Sequence, residues 1–236
     1  MRLTNQKKEL NHYMNILSYN IHLCNQEKID NIISRGADIM VLPECGCPEQ
    51  VSLPDDYEMT WQGDYDSKGL GVIWKRTVNC RIAPWFDTRH KYMIPLIIND
   101  EWLLLAAWPT IVPDVKKTYP QILLECLKAY SEHIKEMPTM ITGDFNCYIG
   151  QGGVSKQTGT FEQCIEYMRE LGLHSEYHER TQEQFGKETS CTYHHLFKEN
   201  MPFFIDYTFT NISLFAYMIG SWERKMSDHS PQIIVL

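Results

Sequence analysis

Five short stretches of this sequence place polar or ionisable residues at the tip of, or inside, an apolar run of strand length. They are Asn20 in "NILSYN", Glu44 in "DIMVLPEC", Asp144 with Asn146 in "TMITGDFNC", Asp206 in "FFIDYTFT", and Asp228 with His229 in "SDHSPQIIVL". Carboxylate and amide oxygens suit a hard divalent cation, and magnesium in particular keeps several waters while taking only one or two protein carboxylates. Four of the five stretches offer such a carboxylate, and three offer an amide or imidazole beside or in place of it. Each stretch by itself also has an ordinary reading. Asn and Asp favour turns because they bond their own backbone, and Glu44 after a proline could be a solvated loop residue. Asp206 resists that reading, because an aspartate within "FFIDYTF" is costly to bury unless it is paired.

The elements that must carry these residues are short. The sequence predicts strands at 15–20, 38–45, 69–75, 92–98, 101–108 and 139–142 from apolar runs bounded by turn residues. A helix at 25–36 has Asn25 as its cap, a stripe of Ile29, Ile32 and Ile33, and Gly36 as its stop. A second helix begins at Tyr119-Pro120 and carries Leu123, Leu124, Leu127 and Ile134; a third, 161–172, shares Phe161, Cys164, Ile165, Met168 and Leu171 on one face. "FFIDYTFT" alternates, with Phe203, Ile205, Tyr207 and Phe209 opposite Phe204, Asp206 and Thr208, and an apolar strand closes the chain. Helices mixed among many apolar strands predict an α+β sandwich.

The 236 residues fit one domain, 1–236, with 1–13 as a polar N-terminal extension. At 43% hydrophobic and 22% charged the chain reads as globular. Its longest apolar runs fall far short of a membrane span, and "MRLTNQKKEL" lacks the apolar centre of a signal peptide, so a cytoplasmic protein is expected. Eight cysteines fit that compartment as thiols, and only "CGC" pairs closely, without the second pair a structural zinc would need. Cys24, Cys45 and Cys147 lie close to the stretches above, which raises the idea of an oxidation-sensitive site. The net charge of −8, with basic residues in isolated pairs, argues against extensive phosphate neutralisation along a duplex but allows a small local footprint.

"SYNIH", "LPE", "GDFN", "IDYTF" and "SDHSP" stand in the order and approximate spacing of the endonuclease/exonuclease/phosphatase superfamily, the metal-dependent phosphoesterases with a deoxyribonuclease-I-like fold. The resemblance spans residues 15 to 236 and extends to uncharacterised bacterial members. It implies a four-layer α/β/β/α sandwich of two central sheets flanked by helices. It also implies magnesium, with manganese as a substitute, held by Glu44, Asn20 and Asp228. Asp144 would aim and deprotonate a water, oriented by Asn146, whose amide could also donate to phosphoryl oxygens. His229 would stabilise the pentacovalent state, with Asp206 fixing its tautomer.

Two departures stand out. Where many members carry a histidine or tyrosine at the end of the strand matching "EWLLLAAW", this chain has Trp108, whose indole donates one hydrogen bond but cannot act as an acid. It either stacks on substrate or packs. His22 stands near an extra carboxylate of the abasic-site branch, which disfavours a second tight metal. Lys68, Tyr193 and His195 are further substrate-contact candidates. His194 and His195 are adjacent on a strand and face opposite ways, so at most one of the two reaches substrate. His174 and His178 follow the helix-ending Gly172 and do not read as a metal pair. The expected activity is magnesium-dependent cleavage of a phosphodiester in a nucleic acid or nucleotide by a protein expected to be monomeric. The competing reading is a phosphatase or phosphodiesterase for a small phosphorylated metabolite or lipid headgroup. A non-catalytic binding module is disfavoured because every core position holds a chemically competent residue.

Overall fold

The computed structural model of the protein describes residues 13–111 and 116–236, so the extension expected at 1–13 lies outside the described residues except for Tyr13. In chain order the first half runs β1 (Asn15–Ser18), α1 (Gln26–Ser34), β2 (Ile39–Cys45), β3 (Tyr57–Tyr65), β4 (Lys68–Lys75), β5 (Cys80–Ile82), β6 (Met93–Ile98) and β7 (Trp102–Ala107). The second half runs α2 (Tyr119–Glu136), β8 (Thr139–Asp144), α3 (Phe161–Glu170), β9 (His174–Ser175), α4 (Glu176–Thr181), β10 (Tyr193–His194), β11 (Pro202–Phe203), β12 (Asp206–Thr210), β13 (Ala216–Ile219) and β14 (Gln232–Val235). Two six-stranded sheets result, ordered β13-β14-β1-β2-β4-β3 and β5-β6-β7-β8-β12-β9, with β10 and β11 as a separate small ladder.

Strand composition explains the layers. Along β7, Leu103, Leu104, Leu105 and Ala106 are all fully buried, as expected of a central strand covered on both faces. Ile16, Ile39, Val41 and Val72 of the first sheet join β6, β7, β8, α2 and α3 in one core, so the two sheets pack face to face with helices outside the second. The other face of the first sheet, with Leu17, Met40, Leu42 and Ile73, packs on Ile29 and Ile32 of α1. Burying each of those isoleucines contributes about 2 kcal/mol. The Asn25 side chain caps α1 by accepting from the Lys28 N–H, and Thr118 and Thr160 cap α2 and α3 in the same way. The α/β/β/α sandwich expected from the sequence is the architecture observed.

The registers bring the polar strand ends together. β1 and β2 run parallel, and β14 runs antiparallel to β1 with Gln232 opposite Ser18. In the second sheet Asp206, at the start of β12, lies opposite Asp144, at the end of β8. Between the sheets a buried polar ladder links them: Thr142 with Thr208 at 2.8 Å, Thr208 to Gln232 at 2.8 Å, and Gln232 to Ser18 at 3.4 Å.

The structure adds elements that the sequence reading lacks: β3, β5, β9 and β13, all at sheet edges, and the short α4. β3 and β5 have half-exposed, polar-rich faces that carry no continuous apolar run. "FFIDYTFT" is not one strand. The Thr192 hydroxyl accepts from the N–H groups of both Ile205 and Asp206, so the run breaks there and Phe203 turns away into the β10–β11 ladder.

Gly143 is required by this arrangement. It pairs with Ala107 in the parallel β7–β8 ladder at φ +149, and a Cβ placed on it would lie 1.9 Å from the Ala107 carbonyl oxygen. Gly143→Ala is therefore expected to cost about 3 kcal/mol or more. Gly152→Ala, where a Cβ meets nothing within 4 Å, should stay within about 0.5 kcal/mol of wild type. Urea unfolding decides: equal midpoints for the two variants would contradict the close approach of β7 and β8.

Candidate active site

Asp206 is the first residue of β12 and 2% exposed. Its Oδ2 lies 2.8 Å from Nδ1 of His229, which arrives from the other sheet just before β14 and is 4% exposed. The "SDHSP" segment is pinned in turn: the Ser227 hydroxyl donates to the Asn20 carbonyl at 2.6 Å and accepts from the His229 N–H at 3.0 Å. The second ring nitrogen of His229, Nε2, stands 4.0 Å from Asp144 Oδ2 and 4.0 Å from Asp228 Oδ1. Burial works against a charge on His229, but Asp206, by charge and hydrogen bond, with Asp144 and Asp228, overcomes it and lifts its pKa to about 9.

Asp144, 1% exposed, ends β8. Burial, followed by the negative charge of Asp206, raises its carboxyl to about 7 against the opposing pull of His229 and its hydrogen bonds. Three donors reach it: Asn20 Nδ2 at 2.9 Å, the Asn146 N–H at 2.8 Å and Asn146 Nδ2 at 3.2 Å. Asn146 also gives Nδ2 to the Pro109 carbonyl at 3.1 Å, so its amide is occupied in orienting Asp144 rather than turned to a phosphoryl oxygen. Asn20 accepts from the His22 N–H at 3.0 Å and sits behind the cleft wall, supporting Asp144 from below.

A cleft of about 550 Å³ opens over this cluster. Glu44, Lys68, Asp144, Asn146, Tyr193, His195, Asp228 and His229 line it, which brings together most of the residues singled out from the sequence. Glu44 reaches it from a bulge in β2 at φ +61 and meets Lys68 Nζ at 3.0 Å, and Asp228 faces His22 at 3.3 Å. His22, Leu23 and Asn146 also hold left-handed backbones around the cleft, the kind of local strain that collects at functional sites. Glu44 and Asp228, both in the cleft lining, offer carboxylate oxygens of the kind that suits a hard divalent cation. The Asp144–Asp206–His229 trio also gathers its ligand atoms within 4.8 Å of one another, a second possible metal-binding group, in which Nδ1 of His229 is already engaged by Asp206.

Tyr193 lies 4.7 Å, ring to ring, from His229 and bonds His195 Nδ1 at 2.9 Å, while His194 turns the other way and stacks on Trp222 at 3.8 Å. Trp108 is 3% exposed, meets Tyr92 edge-on, and is not part of the cleft lining, so it packs rather than stacking on a ligand. Cys45 and Cys147 are fully buried and Cys147 belongs to the core; all eight cysteines are free. A hydrogen bond with Cys45 brings the Cys24 thiol down to about 7. His178 is no metal ligand: it bonds Ser175 and Glu188 inside the protein, and His174 is exposed. The sequence reading missed Tyr119, Tyr148, Gln151 and Phe203 as cleft residues. Tyr119 had one available signal, its place at the start of a helix shortly after a strand ending near the site; Tyr148 and Gln151 sit on a loop with none.

No protein-family model and no curated protein matches the sequence. Solved structures do match. The endonuclease domain of TRAS1, a telomere-specific non-LTR retrotransposon, covers 94% of this chain and 97% of its own at TM-score 0.64 and 14% identity. The 3'-5' exonuclease NExo of Neisseria meningitidis covers 94% and 98% at TM-score 0.63 and 16% identity. The endonuclease/exonuclease/phosphatase protein of Beutenbergia cavernae DSM 12333 covers 95% of this chain and 71% of its own at TM-score 0.59 and 12% identity. The chain thus has the deoxyribonuclease-I-like fold that the sequence resemblance implied.

The His229 charge is directly testable. By NMR its ring should titrate near 9 in the wild type. In Asp206→Asn the ring loses its chief support against burial, keeps only Asp144 and Asp228, and should titrate clearly lower than in the wild type. An unchanged midpoint in the variant would refute the pairing.

Proposed function

We propose that this protein is a divalent-cation-dependent hydrolase of phosphate esters that cleaves a phosphodiester in a nucleic acid or nucleotide. The observation that carries the reading is the buried Asp206–His229–Asp144 cluster at the floor of an open cleft, with Glu44 and Asp228 on the adjoining wall. Such a cluster places a base near neutral pKa beside a cationic donor, which is what attack of water on a phosphate anion requires. The family likeness of the fold agrees with it.

In this mechanism Asp144, held by Asn20 and Asn146, aims a water at phosphorus and takes its proton. His229 presents its Nε2 proton to a phosphoryl oxygen as negative charge builds there, and Asp206 keeps the ring charged and fixed in orientation. Glu44, Asp228 and Asn20 would hold the magnesium ion, or manganese in its place. When bound, the ion neutralises the phosphate and stabilises the charge that develops on it. Tyr119, Tyr148, Tyr193 and Phe203 line the same cleft and offer ring faces on which a base can stack, which favours a nucleic acid or nucleotide. The second reading, a small phosphorylated metabolite, is supported by the net charge of −8 and by a cleft of small-molecule size.

Purified protein with magnesium should cleave at least one of plasmid, single-stranded DNA, RNA or a nucleotide diester, and EDTA should stop it. Cleavage confined to sugar or inositol phosphates would select the second reading, and no hydrolysis of any of them would refute both. Asp144→Ala and His229→Ala should each lower turnover roughly a thousandfold, measured on protein shown by circular dichroism to be folded, since His229→Ala also leaves Asp206 unpartnered. A variant near wild-type rate would refute its assigned role.

The pH profile should be a bell. Asp144 must be ionised, so the rate climbs as pH rises through about 7, and His229 must be protonated, so it falls through about 9. The two limbs belong to the coupled cluster, and a bound cation moves the acid limb lower. A rate that keeps climbing beyond the His229 value would contradict the assignment.

A further inference from the structure

Lys68 opens β4, and its position is set by backbone more than by its own side chain. Cys45 pairs with Gly69 and Pro43 with Leu70, so Glu44 is the extra residue of a bulge, thrown toward the cleft and toward Lys68. The start of β4 cannot drift. A Cβ on Gly69 or on Gly63 would lie 2.3 Å from the Trp61 ring, and Trp61 Nε1 donates to the Cys45 carbonyl at 2.9 Å. From that fixed start Lys68 Nζ lies 3.0 Å from Glu44 Oε1 and 5.5 Å from the centroid of Trp108. The Lys68 side chain is 40% exposed and that of Glu44 15%. Trp108, 3% exposed, packs edge-on against Tyr92.

We propose, resting on the reading that Glu44 holds the divalent cation, that Lys68 and that cation are alternative partners of Glu44, and that Lys68 turns to the substrate phosphate when Glu44 is taken. An ammonium in contact with a carboxylate repels a dication bound to the same group, and the half-buried Glu44 side chain limits how far solvent screens that repulsion. Lysine suits the move: it is a compact charge with three donors on a flexible four-carbon stem. The Trp108 face retains it at the cleft by cation–π attraction instead of releasing it to solvent. The phosphate is the anion that arrives next to it. Metal and phosphate therefore bind with positive coupling, each raising the affinity for the other, as linkage requires. Trp108 acquires a role that base stacking did not give it, as the seat of a lysine with two positions.

The test uses manganese and inorganic phosphate as probes, by calorimetry or by the manganese electron-spin signal, on the wild type, Lys68→Met, Lys68→Gln and Glu44→Gln. One substitution should produce opposite effects. Lys68→Met and Lys68→Gln should bind manganese about three- to tenfold more tightly, the range expected of a partly exposed ion pair removed from competition. In the presence of manganese, both should bind phosphate roughly tenfold more weakly and lose the coupling. A merely structural lysine would not move the two affinities in opposite directions. If the wild type binds manganese, Glu44→Gln loses it and the Lys68 variants bind it no more tightly, this proposal alone is overturned. Unchanged phosphate binding in the Lys68 variants overturns it equally. If none of the proteins binds manganese, both this proposal and the metal reading of Glu44 fall.

Discussion

The constraint on which this site depends is the burial of one carboxylate. Asp206 opens a strand in the centre of the protein and is all but inaccessible. A charge there is costly without a partner, and its partner, His229, comes from the other sheet. The pair cannot form unless β12 and the segment before β14 meet, so the chemistry and the closure of the sandwich are one requirement. Below the pair the Thr142–Thr208–Gln232–Ser18 ladder crosses the same seam. Breaking such a network leaves buried polar groups unpaired, so the seam has one good register and resists alternatives.

This geometry separates two tasks that carboxylates could otherwise share. Asp144 and Asp206 sit deep, where burial raises their pKa values and a charged imidazole offsets the cost. Glu44 and Asp228 sit at the wall of the cleft, closer to solvent, where a hydrated cation can be held without stripping all its waters. In the proposed mechanism the deep set handles protons, and the wall set would hold the metal for which Lys68 competes. Left-handed backbone at Glu44 and Asn146 is the local strain accepted to aim each side chain.

Much of this was legible in the chain because the candidate site residues interrupt apolar runs. Asn20, Glu44, Asp144, Asp206 and His229 are conspicuous where strands end, and strands that share a sheet bring their ends together. The helices were equally legible, since Asn25, Gly36 and Pro120 mark their limits. What the sequence hid was set by tertiary context. β3 reads as polar because it is an edge. The break before Asp206 depends on the Thr192 hydroxyl, thirteen and fourteen residues from the N–H groups it accepts. Tyr148 and Gln151 reach the cleft from a loop whose path no periodicity encodes. Trp108, just past the end of β7, and Cys147, in the loop after β8, are taken up by the core, which their positions in the sequence do not announce.

The central claim is that the cation belongs to the wall and the proton to the floor. The alternative is a metal gripped by the Asp144, Asp206 and His229 trio, whose ligand atoms are close enough to surround one. A crystal soaked in manganese, with its anomalous scattering mapped, separates the two directly. The account predicts a peak against Glu44 with Asp228 beside it and none within bonding reach of His229. A peak ligated by His229 and Asp206 would contradict it.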